Sequence, residues 1–201
     1  KLGAPEDKVR VTGTMKFDTA QIAERVPGDV QLAWDVGLSP RDERIWVCGS
    51  TGESVMLTTE EKIQLWEWVA GAAAPEKLLI AGTGMESVRE TVALTNRAAE
   101  IGYKVAMVRT PHYYKNLLNR NDAQILYFRS VADESKLPLI IYNWPQATGV
   151  DVSAEAVACL SEHPNIIAIK ESSGNLEKVM QMIQTVKLGF QVLVGSAPTL
   201  W

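Results

Sequence analysis

Lys170 closes the apolar run Ile166-Ile167-Ala168-Ile169. Strand periodicity puts it on the same face as Ile166 and Ala168. If that face is a barrel interior, an ammonium is held in an apolar setting. Desolvation disfavours its charged form and leaves a nucleophilic amine near neutral pH. Such an amine can form a Schiff base with a carbonyl. The plain alternative is a lysine marking the solvated end of a strand. Tyr142 ends the run Leu139-Ile140-Ile141 and precedes Lys170 by 28 residues, one βα unit. Neighbouring parallel strands run ~4.8 Å apart, so phenol and amine can share a pocket. A phenol there can move protons. The alternative is a core tyrosine with a satisfied hydroxyl.

Two loops add to this pair. Gly49-Ser50-Thr51-Gly52-Glu53-Ser54 follows the strand-like run Ile45–Cys48. Glycines let backbone N–H groups approach an anion, and the hydroxyls of Ser50 and Thr51 add donors. A small carboxylate suits such a pocket; an ordinary strand-to-helix turn is the alternative. Thr110-Pro-His-Tyr113-Tyr114 follows Val105–Arg109 and offers two adjacent aromatics to a pocket or an interface. His112 has no partner at ligand spacing and His163 sits before Pro164 in a turn, so no metal is expected. Gly82-Thr-Gly84 imitates a dinucleotide-binding turn, but Ser87 stands where the third glycine belongs. Cofactors are therefore expected to be none.

These residues must be positioned by a repeating scaffold. Strand candidates are Ile45–Cys48, Leu78–Ala81, Val105–Arg109, Leu139–Tyr142, Ile166–Lys170 and Gln191–Val194. Each is nearly continuous in apolar character, as expected for strands covered on both faces. Helical patterns lie near 58–73, 86–101, 121–135, 153–162 and 175–186. Thr58-Thr-Glu-Glu61 forms a capping box, and Gly102 supplies a helix stop. The period of 25–35 residues fits βα units, in either a doubly wound sheet or a (β/α)8 barrel. Both put their sites at the C-terminal ends of strands, where the four features above fall.

The 201 residues carry a net charge of −4, with 46% hydrophobic and 22% charged residues. This is an ordinary globular profile. No ~18-residue apolar run suggests a membrane span. No basic tract suggests nucleic acid. Cys48 and Cys159 have no metal or redox spacing and read as buried small hydrophobes of a cytoplasmic protein.

The ordered motifs resemble the dihydrodipicolinate synthase / N-acetylneuraminate lyase family. They are Gly49-Ser-Thr-Gly-Glu-Ser54, Thr110-Pro-His-Tyr-Tyr114, Tyr142-Asn-Trp-Pro145 with Thr148-Gly149, and Ile169-Lys-Glu-Ser-Ser-Gly174. The resemblance covers roughly residues 49–201. It implies a TIM barrel and class I aldolase chemistry on a pyruvate-like 2-oxo acid. It implies that Lys170 forms the imine, Tyr142 transfers protons, and Ser50 and Thr51, with Gly52, bind the carboxylate. Tyr113 would reach a neighbouring subunit's proton relay in a homo-dimer or tetramer. Gly195-Ser196 would follow the seventh strand and line the substrate site. The synthases usually carry an arginine where this chain has Ala147. The form Pro145-Gln-Ala-Thr-Gly149 looks more like the 4-hydroxy-2-oxoglutarate aldolase branch, so a retro-aldol lyase is expected. A synthase or a 2-keto-3-deoxy sugar acid dehydratase or aldolase is the alternative.

Charge density steps down near residue 48: 15 of the first 48 residues are charged, against 29 of the remaining 153. Arg10-Val-Thr-Gly-Thr-Met-Lys-Phe-Asp18 resembles the inter-domain region of bacterial 3-deoxy-D-manno-octulosonic acid transferases. The expectation is a chimera, with residues 1–48 transferase-like and 49–201 a partial barrel supplying strands 2–7. Lys8–Val11 would stand in for the first strand. A divergent aldolase N-terminus is the alternative to the chimera, and a glycosyltransferase fragment and an inactive remnant are the competing functional readings. The chain begins at Lys1 without Met and stops after a strand-like run, which reads as a fragment.

Overall fold

The computed structural model describes residues 44–50, 52–73, 75 and 77–195, with side chains from Cys48 onward. Thr51, Ser196 and the whole 1–43 segment, including Lys8–Val11 and the motif at 10–18, lie outside the described residues.

Among the described residues six parallel strands form one sheet: β1 (Arg44–Val47), β2 (Leu78–Gly82), β3 (Val105–Arg109), β4 (Leu139–Asn143), β5 (Ile166–Glu171) and β6 (Gln191–Val194). Their spatial order is their sequence order. A doubly wound sheet reverses order at a switch point and carries helices on both faces. This sheet does neither. The helices α1 (Thr59–Ala72), α2 (Val88–Ile101), α4 (Asn121–Glu134), α6 (Ala154–Ser161) and α7 (Leu176–Thr185) pack side by side along one face. Short helices α3 (Lys115–Leu118) and α5 (Pro145–Thr148) interrupt two loops, and a 3-10 turn covers Ser54–Met56. The architecture is an incomplete (β/α)8 barrel, as the motifs implied.

Local chemistry explains the boundaries. Thr58 Oγ1 accepts from Glu61 N, and Glu61 returns a bond to Thr58 N, completing the capping box of α1. Ser87, Ser153 and Asn175 cap α2, α6 and α7 with the first of these two bonds alone, each side-chain oxygen accepting from the backbone N–H three residues on. Each such cap satisfies an otherwise orphaned N–H and contributes about 1 kcal/mol. Gly102 ends α2 at φ 113°, where a side chain would be strained. The short helices were not expected, because four residues carry too little pattern to read.

Two apolar clusters use the two sheet faces. Leu79, Ala81, Ala106, Val108, Leu139, Ile141 and Ile169 join Trp66, Phe128, Val157 and Leu160 under the helices. Ile80, Val105, Met107, Ile140, Tyr142 and Ala168 line the opposite, lumenal face. Complete burial of side chains such as Phe128, Ile141 and Leu160 stabilises the fold by about 1.5–3 kcal/mol each.

Strict alternation fails in β5. Leu139 pairs with Ile166, but Ile140 pairs with Ala168, so Ile167 is an extra, partly exposed residue. The bulge puts Ile166 under the helices, not beside Ala168 as periodicity suggested. A second difference concerns cysteine. Cys48 is buried, whereas Cys159 is only half-buried and its Sγ accepts from Arg129 at 3.2 Å. Gly84 is also explained: a Cβ there would lie 2.5 Å from Arg109 N. Close packing of β2 against β3 requires this glycine, and no phosphate is needed to account for it. No described helix is long and apolar enough to cross a membrane.

Candidate active site

Tyr142 and Lys170 are direct register partners at the ends of β4 and β5. The Lys170 Nζ stands 4.4 Å from the centre of the Tyr142 ring. Ser50, from the loop after β1, donates from Oγ to the Tyr142 hydroxyl at 3.3 Å. Trp144 stacks beside the phenol at 6.3 Å. Burial raises the Tyr142 pKa, while the hydroxyls of Ser50 and Ser172 act in the opposite sense. The phenol therefore stays protonated through neutral pH, ready to give a proton before it takes one.

Gly195, after β6, closes the other side. A Cβ on it would lie 2.9 Å from Lys170 Cε and would overlap Ser172 Oγ. Only hydrogen fits beside the lysine stem. The Gly195 N–H donates to Glu171 O at 2.8 Å and ties β6 to β5 at this level.

The Gly49–Ser54 loop differs in part from the sequence expectation. The N–H groups of Gly52, Glu53 and Ser54 donate to carbonyls within the loop. Gly52 thus spends its amide on the turn, and anion binding would rest on other donors of the loop, Ser50 Oγ among them. Cys48 and Glu53 adopt left-handed backbone at φ 58° and 52°, and bend the chain sharply around the loop.

A cleft of about 340 Å³ opens beside the phenol. Ser50, Tyr142, Tyr113, Lys62, Glu86 and Arg109 are among its lining residues; Lys170 is not. Tyr113 stands at its edge, 78% exposed, with its ring edge-on to Tyr114 at 5.1 Å. The carboxylate of Glu86 holds the loop bearing Tyr113: it accepts from the backbone N–H of His112 and Tyr113 at 2.9 and 3.0 Å, and pairs with Arg109 at 3.0 Å. Burial opposes ionisation of Glu86, but these donors outweigh it and hold its pKa below the usual range.

Sequence reasoning assigned no role to three features found here. The first is the Glu86–Arg109–His112 cluster. The second is Ser172, whose buried Oγ approaches the phenol without completing a hydrogen bond of normal geometry. The third is a buried polar network behind the site. Asn143 Nδ2 donates to Glu171 and Asp151, both at 2.8 Å, and Lys178 pairs with both acids. Lone charged residues give no signal of such pairing in a sequence. Among the described residues no group of three or more His, Cys, Asp or Glu is placed to hold a metal.

A lysine amine over a tyrosine ring, at the C-terminal edge of a sequentially ordered parallel sheet, defines a barrel protein with its site where the fold class puts one. The chain belongs to the dihydrodipicolinate synthetase family, whose model matches residues 38–200. It is 38% identical over 148 residues to a 4-hydroxy-tetrahydrodipicolinate synthase of Exiguobacterium, covering 74% of this chain and 50% of that protein. A synthase of Thermosynechococcus vestitus is 39% identical over 175 residues, 83% of this chain and 58% of the relative. The crystal structure of dihydrodipicolinate synthase from Aquifex aeolicus superposes with a TM-score of 0.72 at 36% identity, over 83% of this chain and 55% of that one. A family member from E. coli K12, solved with pyruvate, gives 0.71 at 31% identity, over 84% and 57%. The chain spans about half the length of the curated relatives it matches.

Proposed function

We propose that the protein is a class I aldolase or lyase acting on a pyruvate-type 2-oxo acid. The observation that carries this reading is the Lys170–Tyr142 pair, with its amine 4.4 Å from the ring centre and Ser50 on the phenol. The amine of Lys170 attacks the 2-oxo carbon, and loss of water gives an iminium. The C4 hydroxyl of the substrate passes its proton to Tyr142, the phenol having given its own to the departing water, and the iminium accepts the electron pair released as the C3–C4 bond breaks. An aldehyde leaves, and the enamine that remains is protonated at C3. Hydrolysis then frees pyruvate and the amine. Tyr142 is the proton-transfer residue. Ser50 and Thr51 bind the carboxylate, with Gly52, Gly195 and Ser196 shaping its pocket.

Direction of reaction rests on Ala147. It lies exposed on α5, where a synthase usually has an arginine, and it offers no cation to a second carboxylate. Retro-aldol cleavage is the preferred reading. The names of the relatives favour the second one, condensation toward 4-hydroxy-tetrahydrodipicolinate. Pyruvate release from 4-hydroxy-2-oxoglutarate, measured against formation of that product, separates them.

Tyr113 and Tyr114, 78% and 70% exposed, supply an aromatic surface for a homo-dimer or tetramer in which Tyr113 serves the neighbour's proton relay. Sedimentation velocity tests that assembly. A cytoplasmic location belongs to the same proposal; the unpaired thiols of Cys48 and Cys159 are compatible with it.

Borohydride trapping with pyruvate, followed by peptide mass mapping, is the decisive experiment. A reduced pyruvyl adduct on Lys170 supports the reading. Folded protein without an adduct overturns it and favours an inactive remnant. Binding of a sugar nucleotide would instead favour the transferase-like reading of residues 1–48.

A further inference from the structure

We propose that the network Asn143–Glu171–Lys178–Asp151 is a positioning device, which decides that Lys170 and not Glu171 faces the lumen. The inference rests on the reading of Lys170 as the imine-forming residue.

The problem it answers is the bulge. A one-residue slip in a strand moves every side chain to the opposite face. Ile167 already breaks the alternation between β4 and β5, so apolar pairing upstream leaves the register downstream underdetermined. Lys170 and Glu171 are adjacent. A slip there would exchange an amine for a carboxylate in the lumen.

The network permits only one of these arrangements. Each site residue is followed by a network residue: Asn143 follows Tyr142, and Glu171 follows Lys170. Asn143 and Glu171 are themselves register partners. Asn143 Oδ1 accepts from Val152 N at 3.0 Å, and its Nδ2 donates to Glu171 Oε2 at 2.8 Å. Glu171 Oε1 accepts from Ser173 N at 2.6 Å. Lys178 Nζ reaches Glu171 Oε2 at 3.2 Å and also pairs with Asp151. Lys178 lies on α7, on the helix-covered face. The Glu171 carboxylate can meet it only when Lys170 points the other way. The backbone follows suit: Ser172 N donates to Asn143 O, and Gly195 N to Glu171 O.

Stability alone does not account for these residues. Glu171 is 1% and Lys178 9% exposed. A buried ion pair replaced by apolar residues of similar volume is often neutral or stabilising. What an apolar pair cannot do is discriminate between the two registers.

Lys178→Met tests the inference, because it keeps the stem of the side chain and removes the charged head. Folding is checked by circular dichroism and thermal melting. In the folded variant the maximal rate of pyruvate trapping on Lys170 falls about tenfold, the scale expected when a reacting group is misplaced by a fraction of an ångström. The pyruvate concentration for half-maximal trapping stays unchanged, since the Gly49–Gly52 loop is untouched. Lys178→Arg restores the rate. A folded Lys178→Met variant that traps at the wild-type rate overturns the proposal; so does a change confined to the half-maximal concentration. Should Lys178→Met fail to fold, Glu171→Gln carries the same readouts.

A second measurement needs no pyruvate. The 13C-dimethyl resonance of reductively methylated Lys170, assigned with Lys170→Arg, is shifted upfield by the Tyr142 ring in the wild type. In Lys178→Met it moves toward the position of an exposed lysine. An unmoved resonance overturns the positioning role even if no adduct forms. Absence of an adduct in the wild type counts against the aldolase reading alone.

Discussion

Lys170 and Tyr142 face each other across adjacent parallel strands, with the amine nitrogen 4.4 Å from the ring centre. The pairing brings together an amine and a phenol that lie one βα unit apart in sequence. A ring under an ammonium also stabilises the charge by about 0.5–2 kcal/mol, more as water is excluded. The two roles separate by substitution. Lys170→Ala eliminates the borohydride-trapped adduct. Tyr142→Phe keeps the ring beneath the amine and removes the phenol. It retains trapping, while turnover falls about 100-fold, the lower end for loss of a general acid–base group. Equal loss of trapping and turnover in Tyr142→Phe would mean that the hydroxyl matters chiefly for imine formation and not for C–C cleavage.

Gly195→Ala places a methyl 2.9 Å from Lys170 Cε and on top of Ser172 Oγ. Overpacking of this kind costs about 1–3 kcal/mol. The melting temperature falls, and adduct formation slows more than global stability accounts for. Gly195→Ala/Ser172→Ala relieves the worst overlap and recovers part of both. A wild-type trapping rate in the single variant would show that the loop after β6 does not pack against the lysine.

Lys62 is 7% exposed, and among the described residues it has no carboxylate partner and its Nζ reaches only Met85 Sδ, at 3.8 Å. Burial lowers its pKa, opposed by Cys48 and reinforced by Arg109. The unfolded chain then binds the proton more tightly than the folded one. Stability is depressed at neutral pH and rises as pH climbs from the folded pKa toward the unfolded value near ~10.4. Lys62→Met removes this cost. Its melting temperature rises by about 2–4 °C, equivalent to about 1 kcal/mol in a chain of this size. The alkaline rise seen in the wild type flattens. A lower melting temperature in Lys62→Met would show that the ammonium is stabilised in the cleft.

Glu86 gives the opposite pH signature. Its folded pKa is depressed. Its contribution is therefore complete above the unfolded value near ~4.3 and disappears as pH falls through the folded pKa. The difference in melting temperature between wild type and Glu86→Gln should be constant above about pH 5 and shrink on acidification below about pH 4. The same substitution loosens the loop that carries Tyr113. Hydrogen exchange at the His112 and Tyr113 amides, both bound to Glu86, reports this directly. Unchanged protection there would rule out Glu86 as the anchor.

The strand–helix rhythm was legible because strands covered on both faces must be apolar throughout, and helices announce their starts with side-chain caps. Thr58 and Gly102 mark their boundaries through local chemistry alone. The candidate pair was legible for a similar reason: a lysine and a tyrosine each end an apolar run, one βα unit apart. Other features depend on partners distant in sequence. Lys178 reads as a solvated helical charge until Glu171 and Asp151 meet it. Glu86 reads as a surface acid until the loop at 110–114 folds over it. Gly84 looks like part of a phosphate turn until Arg109 is seen packed against it. The face of Ile166 was misread because a bulge leaves no mark on residue type.

Sequence by itself determined the parallel βα architecture and placed the two candidate residues, Tyr142 and Lys170, at one common end of the sheet, since these follow from local periodicity and capping. Tertiary structure decided between a barrel sheet and a doubly wound one, because strand order is a property of pairing and not of pattern. It also decided which of two adjacent residues, Lys170 or Glu171, faces the lumen. That choice rests on hydrogen bonds and ion pairs between β4, β5 and α7, which exist only once the chain has brought them together.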